Sequence, residues 1–174
     1  RVYAIGDVAG GLQFTHVAGD QAGVVIRNAL FRLPAKFKAQ AVPWVTYTDP
    51  ELAQVGLTDE QAILEHRGAR VLRWPFAEND RAQAERRTDG LVKVVTTKRG
   101  RILGAGIVGP GAGELILPWV LALKQGLSIG AMAQVVAPYP TRGEAGKRAA
   151  GSFYAPKLFS DRTRKLVRFL SRFG

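Results

Sequence analysis

The apolar positions of the chain form short runs with two different spacings, which predict alternating strands and helices. Continuous or β-branched runs predict strands at 2–5, 45–47, 71–76, 91–97 and 102–108, the last two joined by a compact turn. Apolar residues spaced by three or four predict helices at about 15–31, 58–68, 113–125 and 129–134, with a further helix ending near Gly151. We expect a turn or helix start at 49–51 and a charged loop or short helix at 79–87. This order predicts an α+β fold with a mostly antiparallel sheet packed with helices.

The segment Thr58-Asp59-Glu60-Gln61 predicts the start of one helix in detail. The Thr58 hydroxyl can accept a hydrogen bond from the backbone amide three residues later, while the Gln61 side chain reaches back to Thr58. This capping box predicts a helix that begins after Thr58 and ends at Gly68.

Glycines 104, 106 and 109 have the spacing G-x-G-x-x-G, which is typical of a dinucleotide-binding loop. Such a loop needs a tight turn, free amides at a helix start and an acidic residue about 20 positions later. Here Ile107 and Val108 favour a continued strand, Pro110 removes an amide, and residues 125–137 contain no Asp or Glu. We interpret the glycines as part of a closely packed strand, with a dinucleotide site as the weaker alternative.

Composition narrows the chemistry that the chain can perform. Among 174 residues, 47% are hydrophobic and 22% charged, and no uninterrupted apolar run is long enough to span a bilayer. Cysteine is absent, which excludes disulfides and thiolate chemistry in this chain, and only His16 and His66 are histidines. We therefore expect no metal site. The expected location is cytoplasmic, with membrane association as the alternative. Because the chain starts at Arg1 inside an apolar run, we expect it to be a piece of a longer protein.

The net charge of +11 is concentrated near the C-terminus, where residues 142–174 contain nine basic and two acidic residues. In residues 157–174 the side chains of Leu166, Phe169, Leu170 and Phe173 form an apolar stripe, with Arg164, Lys165, Arg168 and Arg172 on other faces. This basic amphipathic helix is predicted to dock on protein more often than on membrane, and a peripheral contact with an anionic membrane is the alternative.

Seven strings, in order, carry a resemblance to a known family. They are VYAIGDVAG at 2–10, QFTHVAGDQAG at 13–23, VPWVTYTDPELAQVGLTDEQA at 42–62, PFAENDRA at 75–82, GLVKVV at 90–95, RILGAGIVGPGAGELI at 101–116 and PYPTRGE at 138–144. Together they resemble the C-terminal part of the pyridine nucleotide-disulfide oxidoreductases, especially the mercuric reductase and dihydrolipoamide dehydrogenase-like flavoproteins. The resemblance implies the end of an FAD-binding domain at 1–40, a dimerisation domain at 41–152 and the basic tail at 153–174.

The same resemblance implies how the first segment meets FAD in the intact protein. Asp7 would accept a hydrogen bond from a ribitol hydroxyl, and Gly6 would allow the close approach. The backbone amides of Phe14, Thr15 and His16, at a helix start, would face the flavin pyrimidine and favour negative charge there. The alternative is a buried strand capped by an Asx turn. NAD(P)H would bind upstream of this chain.

The segment PYPTRGE departs from the family pattern at one position. Many members have a His before Pro-Thr, paired with a Glu as an acid/base couple, whereas this chain has Tyr139 followed by Glu144. Because tyrosine titrates near pH 10, it is a poor general base at neutral pH. The resemblance implies that Tyr139 donates a hydrogen bond or contacts a metal or quinone-like substrate, which puts glutathione and lipoamide turnover in doubt. An interface aromatic and a helix-start acid are the alternative roles.

These features predict the dimerisation portion of an FAD-dependent NAD(P)H oxidoreductase. It would form a homodimer, act with its flavin on a small-molecule redox substrate, and not be catalytic alone. The alternatives are a basic nucleic-acid-binding module, suggested by the isoelectric point of about 10.6, and a non-catalytic dimerising protein. Nucleic-acid binding is disfavoured, because the basic residues are not interleaved with aromatic ones in a known binding pattern.

Overall fold

A computed structural model describes residues 2–173 and builds them around one five-stranded sheet. The strands are β1 (Trp44–Thr46), β2 (Leu52–Gly56), β3 (Arg70–Pro75), β4 (Leu91–Thr96) and β5 (Ile102–Val108). They lie in the order β1-β2-β5-β4-β3, and each neighbouring pair is antiparallel. The predicted α+β class with an antiparallel sheet is therefore confirmed.

The described residues also form nine α-helices. They are α1 (Thr15–Ala29), α2 (Asp59–Glu65), α3 (Asp80–Ala84), α4 (Ala112–Leu115), α5 (Leu117–Lys124), α6 (Ile129–Gln134), α7 (Glu144–Gly151), α8 (Ala155–Leu158) and α9 (Asp161–Leu170). The predicted capping box is present at α2: Thr58 Oγ1 accepts from the Gln61 amide at 3.3 Å, and Gln61 Oε1 accepts from the Thr58 amide at 3.0 Å. The helix ends at Glu65, three residues before Gly68.

The core lies mainly between the sheet and helices α5, α6 and α7. Val92, Ile107 and Ala105 of the central strands meet Trp119 of α5 and Ala149 of α7, all of them buried. A smaller cluster on the other side joins Ala62 of α2 to Val95 and Leu103. The register between β4 and β5 shifts at Val95 and Thr96, where the strands are irregular. Both faces of the central strands are therefore covered.

The predicted buried strand at 2–5 is wrong. These residues are exposed and pair with no strand among residues 2–173, and a 3-10 turn follows at Gly6–Ala9. Ile5 keeps extended backbone angles, with φ −140° and ψ 159°. An apolar run becomes a strand only where a neighbouring strand accepts its hydrogen bonds, and the described part of the chain offers it none.

Two other differences concern the middle of the chain. The sequence analysis did not predict β2, because Ala53, Gln54 and Gly56 are weak strand formers. In the structure β2 is held between β1 and β5, so tertiary pairing outweighs local preference. The single helix predicted at 113–125 is divided at Ile116 into α4 and α5, because Pro118 in the first turn of α5 lacks a backbone amide.

Candidate functional site

The glycine motif lies in the sheet and the turn after it. Residues 104–108 are paired on both sides within β5, so the backbone there does not form a phosphate-binding loop. A Cβ on Gly104 would lie 2.0 Å from the Leu57 carbonyl oxygen, and one on Gly109 would lie 2.4 Å from the Phe76 ring. The glycines therefore allow close packing, as the strand interpretation predicted.

The candidate cofactor residues Gly6 and Asp7 lie in a turn that is hydrogen-bonded to helix α1 through Gly6. The Gly6 amide donates a hydrogen bond to Gln21 Oε1 at 2.6 Å, and Gly6 is buried with a left-handed φ of +68°. A Cβ at Gly6 would lie 3.2 Å from the Cβ of Ala18, which explains why glycine suits this contact. Asp7 follows in the 3-10 turn and is exposed. The turn therefore presents a free carboxylate beside α1.

The N-terminus of α1, in the same N-terminal segment as Gly6 and Asp7, has no side-chain cap. Its N-cap residue, Phe14, makes no side-chain capping bond, and the first amides of an α-helix lack intrahelical acceptors. Phe14, Thr15 and His16 line a cleft of about 460 Å³ together with Pro43 and residues of α4 and α5. The amides and their dipole favour an anionic or electron-rich group at this place.

The side chains of Phe14 and His16 have structural contacts. Their rings are stacked, with centroids 5.2 Å apart and planes 7° apart. The His16 ring nitrogen Nε2 is hydrogen-bonded to the Pro43 carbonyl oxygen at 2.8 Å. This bond joins the first helix to the start of the sheet domain. It leaves the backbone amides, rather than the imidazole, as the groups available to a ligand.

Tyr139 lies on the loop before α7 and is hydrogen-bonded to a residue that sequence analysis did not select. Its phenol donates to Asp80 Oδ2 at 2.7 Å, and the ring is exposed. This hydrogen bond and the charge of the Asp80 carboxylate raise the pKa of Tyr139 above 10.0, with smaller contributions from desolvation and from Glu144. The neutral phenol is therefore favoured at all ordinary pH values.

Glu144 is the first residue of α7 and is bound to another partner. Its Oε1 accepts two hydrogen bonds from the Arg148 guanidinium, at 2.8 and 3.0 Å. Tyr139 and Glu144 are near enough to interact electrostatically, but no hydrogen bond joins them in the described structure. In the described structure the two side chains have different partners, Asp80 for Tyr139 and Arg148 for Glu144.

Helix α3 and the residues that flank it hold the Tyr139 loop at three points. Asp80 binds Tyr139, the buried Asn79 donates from Nδ2 to the Thr141 carbonyl oxygen at 3.0 Å, and Glu85 forms an ion pair with Arg142. Asn79 also caps α3 by accepting from the Ala82 amide at 3.0 Å. The string PFAENDRA already contained Asn79 and Asp80, so a polar pair at a predicted helix start was the available signal.

An apolar groove lies beside this loop. Its volume is about 430 Å³, and Leu121, Val135 and Val136 are among the residues that line it. These three side chains are 56%, 47% and 94% exposed. We call this surface, defined by those three residues with Leu127 and Pro138, the α5–α6 groove. Neighbouring apolar side chains that are this exposed are typical of a protein contact surface.

Within residues 2–173, no helix has both the length and the apolar character that crossing a bilayer requires. The same residues contain no group of three or more His, Asp or Glu side chains arranged to hold a metal ion.

Comparison with known proteins identifies the family. Residues 42–150 match the pyridine nucleotide-disulphide oxidoreductase dimerisation domain, which is more than half of the chain. The chain belongs to this family. It is 38% identical over 154 residues to mercuric reductase from Bacillus cereus, covering 88% of this chain and 24% of that protein. It is 41% identical over 156 residues to human mitochondrial dihydrolipoyl dehydrogenase, covering 88% and 30%.

Solved structures agree with this assignment. LpdA from Mycobacterium tuberculosis superimposes with a TM-score of 0.81 at 30% identity, covering 86% of this chain and 33% of that one. The HOCl-induced flavoprotein disulfide reductase RclA from Escherichia coli gives 0.78 at 27% identity, covering 86% and 35%. The chain thus spans about a quarter to a third of the length of its relatives. The nucleic-acid-binding alternative is not supported by these relatives.

Proposed function

We propose that the chain is the C-terminal portion of an FAD-dependent NAD(P)H oxidoreductase, in which it supplies a wall of the flavin site and the dimer contact. The observation that carries the proposal is that the Gly6–Asp7 turn is held against α1, a helix whose N-terminus has no side-chain cap, on a chain that also contains a dimerisation domain of this family. NAD(P)H would bind outside this chain. The domain limits 1–40, 41–152 and 153–174 and the cytoplasmic location stay predictions.

The residues of the first segment fit FAD in their chemistry. The exposed Asp7 carboxylate is a hydrogen-bond acceptor suited to a ribitol hydroxyl, while Gly6 lets the turn lie close to α1. The amides of Phe14, Thr15 and His16 are donors at a positive helix end, suited to the electron-rich pyrimidine edge. A bound FAD would supply the two-electron chemistry between NAD(P)H and a small-molecule substrate. The protein groups would bind and orient it.

Tyr139 is proposed as a hydrogen-bond donor to the substrate in the partner subunit's site, where its single O–H group would turn from Asp80 Oδ2 to the substrate. Asp80 favours the protonated phenol, so Tyr139 holds its proton rather than acting as a general base. Glu144 is proposed as the second polar group of this site, with Arg148 fixing its carboxylate. This arrangement suits a substrate that needs a donor next to a reducible group, and it does not suit a reaction that needs a strong base at neutral pH.

A homodimer is proposed through the α5–α6 groove. Leu121, Val135 and Val136 leave apolar surface exposed beside the Tyr139 loop. A second copy placed on this groove would cover it and bring Tyr139 of one subunit towards the other. Apolar surface of this kind contributes most of the favourable free energy in obligate dimer contacts.

The experiment that tests the flavin proposal uses the intact parent protein. Asp7→Ala should lower the FAD content of the purified enzyme, whereas Tyr139→Phe should lower turnover and leave FAD content unchanged. FAD absorbance per protein chain and steady-state turnover are the two measurements. Asp161→Ala, on the distant α9, is the matched control and should change neither. Normal FAD content in Asp7→Ala would refute the role of Asp7, and normal turnover in Tyr139→Phe would leave Tyr139 structural.

A further inference from the structure

The C-terminal segment 154–173 exposes an unusual amount of apolar surface. Large apolar side chains here are between 43% and 74% exposed; they are Tyr154, Leu158, Phe159, Leu166, Val167, Phe169, Leu170 and Phe173. Neither α8 nor α9 has a single buried residue. The described body of the protein therefore does not cover this surface.

From Thr163 onward helix α9 divides its side chains between two faces, while Arg162, four residues before Leu166, lies at the start of the apolar side. Val167 and Leu170 come one and four residues after Leu166, so the three side chains lie on one side of the helix. Arg164 and Arg168 are four residues apart on the opposite side, and Lys165 lies beside them. The apolar side chains are thus flanked by cations along the length of the helix.

The helix has its own start signal and does not depend on docking to form its first turn. Ser160 Oγ accepts a hydrogen bond from the Thr163 amide at 3.3 Å. The hydroxyls of Ser160 and Thr163 both donate to the Lys157 carbonyl oxygen, at 2.8 and 2.7 Å. These bonds join α9 to α8 in one folded segment. A ligand that binds the segment therefore meets a helix whose first turn is already formed, which reduces the entropy lost on binding.

Charge distinguishes between the partners that could cover the apolar face of α9. The segment carries Lys157, Arg162, Arg164, Lys165, Arg168 and Arg172 against Asp161 alone, and the whole chain has a net charge of +11. A second copy would therefore bring positive charge against positive charge. A nucleic acid would match the cations but leave the apolar face in water. An anionic lipid bilayer matches both faces at once.

We propose that α9, with the end of α8, is a peripheral binding surface for anionic lipid bilayers. Leu166, Phe169 and Leu170 would enter the boundary between headgroups and acyl chains. The cations Arg164, Lys165 and Arg168 would lie at the level of the lipid phosphates. The proposal does not depend on the flavin function, because it uses none of the residues placed in the flavin site or the Tyr139 loop.

The test is flotation of the full chain with lipid vesicles. The chain should float with phosphatidylcholine vesicles that contain phosphatidylglycerol, remain unbound with phosphatidylcholine alone, and be released by high salt. Leu170→Glu should weaken binding at least roughly tenfold, because it removes a leucine that would enter the bilayer and adds an anion. Arg168→Gln should weaken it roughly fivefold, as expected for one cation at an anionic surface.

Controls separate this surface from other exposed positions. Leu64→Glu, at a side chain that is 88% exposed on α2, is the matched control and should leave binding unchanged. Failure to bind the anionic vesicles, or equal loss in Leu64→Glu and Leu170→Glu, would overturn the proposal. Dissociation of an oligomer by Leu170→Glu would assign the face to a second copy instead. Circular dichroism of each variant verifies that the fold is retained.

Discussion

The sheet domain and the segments on either side of it use their apolar side chains in opposite ways. In the described residues, every buried apolar side chain except Val17 lies between Ala53 and Ala150. By contrast, Leu30, Phe31 and Leu33 of the first segment are 73%, 66% and 57% exposed, and nothing in α8 or α9 is buried.

The two kinds of region therefore serve different purposes. The middle of the chain buries both faces of its central strands and holds its loops with specific polar contacts. The flanking segments keep apolar and polar groups available: α1 and Asp7 for the proposed flavin contact, and α9 for the proposed lipid contact. Where apolar surface remains exposed on a well-formed helix, another surface is expected to cover it.

The largest effect expected in the sheet domain is at Gly104. Gly104→Ala places a Cβ 2.0 Å from the Leu57 carbonyl oxygen, against backbone that cannot move without breaking the β2–β5 pairing. The free energy of unfolding should fall by about 3 kcal/mol or more, measured by urea denaturation.

Gly151→Ala is the matched control at the end of α7, where a Cβ would meet nothing within 4 Å. The stability of this variant should stay within about 0.5 kcal/mol of the parent. If Gly104→Ala were tolerated equally well, the close approach of β5 to Leu57 would not be a requirement of the fold.

A smaller loss of stability is expected when ion pairs are removed, and the loss should be larger in the sheet domain than in the C-terminal tail. Asp59 accepts from Lys93 at 2.6 Å and from Arg73 at 3.2 Å, and the hydrogen bond from Lys93 is the main reason that the pKa of Asp59 is lowered from 3.8. Asp59→Asn should cost about 0.5–1 kcal/mol at neutral pH. Asp161→Asn, at an exposed pair in α9, should change stability by less.

The sign of the pH dependence follows from the lowered pKa. The stabilisation by the Asp59 carboxylate is present above pH 3.8 and is lost as the pH falls through the lower folded-state pKa. Thermal melts from neutral to acidic pH should therefore converge for the parent and Asp59→Asn at the acidic end. Parallel curves over the whole range would contradict the assignment.

The smallest change in stability, with a clear spectroscopic readout, concerns Tyr139. Asp80→Asn removes the carboxylate that favours the neutral phenol, so the pKa of Tyr139 should fall towards 10.0. Because the folded-state pKa is raised, this stabilisation is present below pH 10.0 and is lost as the pH rises through the folded pKa. NMR titration of the labelled ring measures the change, and Glu65→Gln, at an exposed carboxylate on α2, is the control that should leave it unaffected.

The fold was largely predictable because its signals are local. Alternating β-branched runs indicated β4 and β5, and the Thr58 capping box indicated α2. Strand β2 was not predictable, since Ala53 and Gln54 adopt strand geometry only between two neighbours. The apolar run at 2–5 failed for the converse reason: its composition favours a strand, but no partner strand exists among residues 2–173.

The sequence selected candidate residues for the site but could not predict their pairings. Tyr139 and Glu144 followed from the family pattern, yet the partner of Tyr139 is Asp80, 59 residues away in sequence. Such a contact depends on how α3 packs beside the loop, which no local spacing encodes. Similarly, only the structure relates the glycines of β5 to Leu57 and Phe76.

The central claim is that this domain joins two copies through the α5–α6 groove, and the oligomeric mass of the chain tests it most directly. Sedimentation equilibrium should give twice the mass of one chain. Val136→Asp, which places a charge on a side chain that is 94% exposed in the single chain, should give the mass of one chain with an unchanged fold. Leu64→Asp, on α2 and outside the α5–α6 groove, should remain a dimer. A parent chain that has the mass of one copy at all concentrations, or a Val136→Asp variant that stays dimeric, would contradict the account.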